Sequence, residues 1–478
     1  MIALLIFALL LWLAASRLTK DIEKSGIIVS AFLFLFFICG YSFSLIASIF
    51  VPVPLGLLVL VTSFLWIVII VFRTSRKISE TTTLLNLVSI SLVGLNIAPA
   101  LYAILSSTKV PASEGLTTNL RLSESTIKPN IYYIILDGYA RSDVLSDVYG
   151  HQNSAFLDFL TAKGFYVATK SRANYCQTYL SLASSLNLVY LDRIARWMNP
   201  DSRDREPLIE MIKNSEVFSF LRNNGYRLVT FSTGVSGTEI READVYMASP
   251  WSFSEFDNAL INRNLLAVLP NVSAVQFNRH RAQLLNALDH LADFPETHIP
   301  TVYFAHIMAC HPPFVFCGEG GAINNEKSFS FNDGILLNPD RAEYIQNHRR
   351  QLVFINGRVQ KAIEAILSRS PEPPIIILQS DHGPGSGWDV ENLERTDLRE
   401  RMSILNAYYL PNGGGSVYPS ITPVNTFRMV FNEYFGTHFE KLTDESYFAT
   451  WNRPYQFVNV TRRLDAIEAG NPIPHQSQ

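Results

Sequence analysis

The sequence predicts an α/β domain, a mostly parallel sheet flanked by helices, preceded by four transmembrane helices. Three observations predict it. Two short runs, 131–136 and 375–378, are largely apolar, and an acidic residue and a glycine stand just beyond each. From residue 129 onward, segments of strand character alternate with segments of helical spacing, the order of a sheet with helices on both faces. Four uncharged apolar runs fill the first 108 residues.

The chain has 478 residues, 48% hydrophobic and 17% charged, and the apolar excess is concentrated in the runs 1–16, 26–50, 51–72 and 81–108. A spanning helix needs about 20 apolar residues. The last three runs meet that length. The first is shorter, but it lacks the preceding positive charge of a signal peptide and is expected to be retained. Arg17, Lys20 and Lys24 separate runs one and two, and Arg73, Arg76 and Lys77 separate runs three and four. Basic loops stay in the cytoplasm. The N-terminus and everything after Ser107 are therefore expected outside, in a multi-pass protein of the inner (plasma) membrane with membrane lipids around it. The expected division is a transmembrane domain 1–108, a polar linker 109–128 and an extracytoplasmic catalytic domain 129–478. The net charge of -3, with no basic stretch beyond the linker, excludes nucleic acid as an expected partner. Cys310 and Cys317 bracket a short loop with prolines. Their spacing permits a disulfide in an oxidising compartment and does not establish one.

Beyond the linker, 131–136 reads as a buried strand. The spacing of Phe156, Leu157, Phe159 and Leu160 predicts a helix over 153–163, stopped by Gly164. Strands are expected at 165–168, 226–231 and 301–308, with a helix at 214–222. The stripe Leu352, Ile355, Val359, Ile363 and Ile366 predicts a long helix over 344–367. Pro371, Pro373 and Pro374 end it before the strand that leads to Asp381. A last strand, 403–410, and a helix, 425–435, complete the order. Segments 191–213 and 233–300 show less regularity and read as surface excursions or a cap over the substrate.

Candidate chemistry lies at strand ends. Ligands of open α/β sheets sit at the carboxyl edges of strands, and there stand Asp137-Gly138 and Ser380-Asp381-His382-Gly383. An Asp and a His are both competent metal ligands. Two buried carboxylates brought together without a cation are costly, so the pair argues for a metal if the two converge. Taken alone, Asp137 also reads as a turn residue before Gly138. His311, in Cys310-His311-Pro312-Pro313-Phe314, follows another strand. It reads as a donor to an anionic oxygen, an acid for a leaving group, or a structural loop residue. His306, within that strand, is expected to pack in the core. Thr178 stands before a run of small and apolar residues. A hydroxyl at a helix start is either a simple N-cap or a nucleophile favoured by the helix dipole.

Together, Pro129-Asn130, Ile135-Leu136-Asp137-Gly138, His311-Pro312-Pro313-Phe314, Ser380-Asp381-His382-Gly383 and Asn406-Ala407-Tyr408-Tyr409-Leu410-Pro411 resemble the sulfatase-like branch of the alkaline phosphatase superfamily. With membrane helices in front, the chain also resembles the lipoteichoic acid synthases and phosphoethanolamine transferases. The resemblance implies a metal set of Asp137, Thr178, Asp381 and His382, with Thr178 as the nucleophile and His311 contacting substrate. It implies a divalent metal, zinc or manganese first and calcium as a further candidate. The implied activity is a metal-dependent phosphotransferase or phosphodiesterase acting on phosphorylated lipid or cell-envelope glycan groups. Sulfate-ester hydrolysis through formylglycine is disfavoured, because Cys176 is followed by Gln177-Thr178-Tyr179-Leu180 with neither the proline nor the arginine of that motif. A non-catalytic membrane scaffold is the reading from another class. It has no use for an intact Asp137, Asp381 and His382.

Overall fold

The computed structural model describes residues 2–47, 53–74, 79–106, 128–250, 252, 254–268, 271–293, 299–323, 329–334, 340–411 and 413–471. The expected linker 109–128, apart from Lys128, lies outside the described residues, as does part of the expected turn 51–54. The chain forms two compact units. One comprises Met1–Lys109 with Phe256–Val275, the other Val110–Glu255 with Gln276–Gln478.

The first unit is helical. Its helices α1 (Ile2–Thr19), α2 (Ile22–Ala47), α3 (Val53–Arg73) and α4 (Ser79–Ser106) cover the four apolar runs. Thr19 and Asp21 form the tight turn between α1 and α2, where Asp21 accepts from the backbone of Glu23 and Lys24. Lys24 then donates to the Thr74 carbonyl at the end of α3, 3.0 Å away. Among the described residues, no helix is long and apolar enough to cross a membrane, so the structure leaves the four transmembrane helices unconfirmed. The short turn Leu265–Val268, from the middle of the chain, packs on α2 within this unit.

The second unit is built on a seven-stranded mixed sheet. Its strands are β1 (Ile131–Leu136), β2 (Tyr166–Val167), β3 (Arg227–Phe231), β4 (Val245–Met247), β5 (Thr301–Ile307), β6 (Ile375–Gln379) and β7 (Asn406–Tyr409), in the order β2-β7-β6-β1-β5-β3-β4. Pairing is parallel from β6 through β1, β5 and β3 to β4. Strand β7 runs against both neighbours. Strands β1, β5 and β6 are buried on both faces, which explains the unbroken apolar runs of β1 and of 375–378 in β6. Alternate residues of β1 serve the two cores. Tyr132, Ile134 and Leu136 pack with the long helix Arg341–Arg369. Ile131, Tyr133 and Ile135 pack with the helices Thr178–Asn187 and Pro423–Phe435.

Two expectations need correction. The strand predicted at 403–410 is shorter, because Asp397 caps a short helix, Leu398–Met402, that runs up to Ser403. Ser403 and Ile404 then make isolated bridges to Arg172 and Ala140. The segment 233–300 holds a 19-residue helix, Val272–His290. Its buried face mixes Gln276, His280 and Gln283 with Phe277, Leu284 and Leu288, and those polar residues dilute the apolar period. Cys310 and Cys317 are free thiols.

An ion network fastens the exit of β1 to the end of the chain. Arg141 bonds Asp143 and Glu468, both at 2.7 Å, and Arg399 bonds Asp143 at 2.9 Å. Burial pushes the Asp143 carboxyl up, but Arg141 and Arg399 outweigh it and hold it well below the usual carboxylate range. A depressed carboxylate stabilises the fold above its unfolded pKa, about 3.9, and that contribution is lost as pH falls through the folded value. Asp143→Asn is therefore expected to cost on the order of 1 kcal/mol at pH 7. Thermal melts of the two proteins should converge as pH is lowered below about 4.

Candidate active site

Three strand ends and one helix start meet at the carboxyl edge of the sheet. Asp137 follows β1, and its backbone is tied to β5 by a bond from its N–H to the Ile307 carbonyl, 2.9 Å. The turn at Gly138 needs a positive φ, +74°, and a Cβ there would sit 3.1 Å from the Cys310 carbonyl oxygen. Cys310 N–H in turn donates to the Asp137 carbonyl at 3.0 Å. The Asp-Gly turn and the loop carrying His311 are thus built against each other.

Asp381 and His382 follow β6. Gly383 N–H donates to the Arg401 carbonyl at 2.7 Å. A Cβ on Gly383 would lie 2.0 Å from the Glu400 carbonyl oxygen, so no larger residue fits without moving this loop. His382 Nδ1 donates to the Gly383 carbonyl at 3.0 Å. A carbonyl only accepts, so the proton sits on Nδ1 and leaves the Nε2 lone pair facing the site.

The ligand atoms of Asp137, Asp381 and His382 all lie within 4.8 Å of one another. His382 Nε2 is 3.4 Å from Asp381 Oδ2, 3.6 Å from Asp137 Oδ1 and 3.0 Å from Thr178 Oγ1. Thr178 opens the helix Thr178–Asn187, whose N-cap residue is Gln177. The Gln177 side chain makes no cap bond, and the Thr178 hydroxyl is turned to His382. The neighbouring hydroxyls are committed elsewhere. Ser181 donates to the Asp381 carbonyl, Ser184 to that of Val189 and Ser185 to that of Leu182, and all three are buried.

The donors fit a divalent cation. Asp137 Oδ1 and both carboxylate oxygens of Asp381 are buried with no hydrogen-bond partner among the described residues. Two carboxylates stripped of water and of donors are unfavourable unless a cation stands between them. An oxygen and imidazole set suits zinc or manganese. Burial first, then Arg401, holds the His382 imidazole below its usual range, which keeps it neutral as a ligand must be. Burial pushes Asp137 up, but His311, His382 and His306 together hold it below the usual carboxylate range.

The site also contains residues that the sequence did not assign to it. His306 is buried in β5 as expected, yet its Nε2 stands 3.2 Å from Asp137 Oδ2 and its Nδ1 3.0 Å from Thr238 Oγ1. Burial lowers its basicity, but Asp137 outweighs that and raises it. A histidine at the end of a strand that pairs with the Asp137 strand was the available signal. Asp333 lies 3.9 Å from His311 Nε2 and 2.9 Å from Arg401 Nη1. His311 Nδ1 donates to the Pro312 carbonyl, so its Nε2 edge is the one turned toward Asp333. Thr178, His311, His382, Asp333 and Arg401 share a cavity of about 100 Å³ walled in part by Trp388 and Trp451.

No family model matches the chain, and no curated protein matches it. Among solved structures it is similar to the C-terminal periplasmic domain of EcEptC from Escherichia coli in complex with zinc, at 12% identity over 74% of this chain and 99% of that one, with a TM-score of 0.47. It is similar to the integral membrane lipooligosaccharide phosphoethanolamine transferase A from Neisseria meningitidis, at 11% identity over 88% of this chain and 84% of that one, TM-score 0.41. A putative sulfatase from Bacteroides thetaiotaomicron is similar at 12% identity over 68% of this chain and 78% of that one, TM-score 0.39. These neighbours are phosphoethanolamine transferases and sulfatases, the groups that the sequence motifs resemble.

Two outcomes are expected at this site. Asp381→Asn removes one of the two carboxylates and should weaken Mn²⁺ or Zn²⁺ binding by more than about tenfold, read as bound metal per protein after dialysis. Gly383→Ala should have a similar effect with every candidate ligand intact, because the added methyl displaces the loop that carries His382.

Proposed function

We propose that this chain is a membrane-anchored, metal-dependent phosphotransferase or phosphodiesterase that works through a Thr178 phospho-enzyme. The observation that carries this is the placement of the Thr178 hydroxyl 3.0 Å from His382 Nε2, beside two buried carboxylates, three of whose oxygens have no hydrogen-bond partner among the described residues. A divalent cation held by Asp137, Asp381 and His382 would supply the positive charge that favours a deprotonated hydroxyl and offsets charge developing on phosphorus. The helix behind Thr178 adds a smaller contribution of the same sign. Thr178 Oγ1 bonds to phosphorus as the bond to the leaving oxygen breaks, and the hydroxyl proton passes to solvent. His311 faces the same cavity, and with a second proton on Nε2 it would give that proton to the leaving oxygen. Transfer to an acceptor hydroxyl, or to water, then breaks the Thr178–phosphorus bond.

Cys176 argues against the sulfatase route. It is fully buried, both donates to and accepts from the Ala449 backbone at 3.5 Å, and burial pushes its thiol up. A thiol so placed is turned to the Ala449 backbone and does not line the cavity that Thr178 faces.

We place the first unit in the membrane. Phe34, Trp66, Ile90 and Leu95 are each at least 65% exposed on its helices. Apolar surface of that extent seeks a partner or lipid, and the basic residues between the helices support the extracytoplasmic placement of the catalytic unit. The substrate is then a phosphorylated lipid or envelope glycan group.

Intact-mass and peptide mass spectrometry of the full chain, incubated with Mn²⁺ and phospholipid vesicles, should show an adduct on Thr178. Its mass names the donor group. Thr178→Ala should lower turnover by roughly 10³-fold or more. A variant that turns over at the wild-type rate would end the covalent mechanism.

A further inference from the structure

We infer that Arg401 is a positioning residue that fixes His382 and Thr178 relative to each other; the inference rests on the reading of those two residues given above. Arg401 belongs to the short helix Leu398–Met402 and is only 1% exposed. A buried guanidinium is tolerated only when its charge and donors are matched, and here each partner belongs to the site. Its Nε donates to the Cys176 carbonyl at 2.9 Å, two residues before Thr178. Its Nη1 donates to Asp333 Oδ2 at 2.9 Å and to the Gly383 carbonyl at 3.0 Å. That carbonyl is the one that accepts from His382 Nδ1. The plane is held from the other side by Trp388, whose ring centre lies 3.6 Å away.

The result is a continuous chain of contacts: Asp333, Arg401, the Gly383 carbonyl, His382, Thr178. Arg401 holds the carbonyl that sets the His382 tautomer, and with Nε it fixes the approach of the segment that carries Thr178. Asp333 is held in turn by the Tyr344 hydroxyl at 2.9 Å, so the far end of the chain is also anchored. A planar fork is needed to reach three acceptors while stacked on a ring. A lysine keeps the charge but cannot reproduce the fork.

The test uses the full chain, the chromogenic phosphodiester bis(4-nitrophenyl) phosphate and Mn²⁺. Arg401→Lys is expected to lower kcat by about 10- to 100-fold with KM changed less than about threefold, and to weaken Mn²⁺ binding by about tenfold, measured by competition with a chelating dye. Arg401→Ala should regain at least about tenfold activity on adding tens of millimolar guanidinium, and none with ammonium. Asp333→Asn, which leaves Arg401 in place, should show a smaller loss of the same pattern and serves if neither Arg401 variant folds. A folded Arg401→Lys that matches wild type in kcat and Mn²⁺ affinity overturns the proposal, as does an unchanged Asp333→Asn. Wild-type protein that binds no Mn²⁺ and does not act on the phosphodiester counts instead against the phosphoryl-transfer reading. Mn²⁺ binding with no turnover leaves the affinity comparison to decide the role of Arg401.

Discussion

Electrostatic repulsion between two buried acids organises the second unit. Asp137 and Asp381 come from neighbouring strands whose register is fixed by the parallel ladder, so neither can retreat without breaking the sheet. Asp137 Oδ1 and both oxygens of Asp381 have no hydrogen-bond partner among the described residues. His306 stands beside Asp137, and His382 turns a neutral nitrogen toward both acids, so a cation held among the three would complete the balance. The glycines at 138 and 383, the Asp-Gly turn against Cys310 and the capped helix up to Ser403 all serve to hold that arrangement.

How much of this the sequence disclosed depends on the kind of signal. Strands β1 and β6 were legible because both are buried on two faces and read as unbroken apolar runs. The residues just past their ends were legible because a strand's carboxyl edge is where a sheet presents chemistry. Asp333 and Arg401 were not. Asp333 stands in a loop with no strand before it, and Arg401 sits in a short helix whose charged composition, Leu-Arg-Glu-Arg-Met, looks like solvent-facing surface. Only the fold shows that Arg401 points inward, onto Trp388. His306 was placed in the core, which is correct for its burial but incomplete, since a polar core residue has to spend its nitrogens somewhere.

The choice among hydroxyls near Thr178 shows the same division. Thr178, Ser181, Ser184 and Ser185 lie within eight residues, and nothing in their order ranks them. The structure ranks them by what each is already doing. Three serines donate to main-chain carbonyls, while Thr178 is left to face the cavity.

The segment 256–275 carries a consequence for anyone cutting this protein. It is encoded in the middle of the sheet-bearing half, yet it packs with the N-terminal helices. A fragment begun at residue 128 would keep those twenty residues and lose their support, leaving the half-buried Leu265 and Leu266 without the helix they pack on. The two units are interleaved along the chain, so cutting away the N-terminal helices also strips the surface on which this internal segment rests.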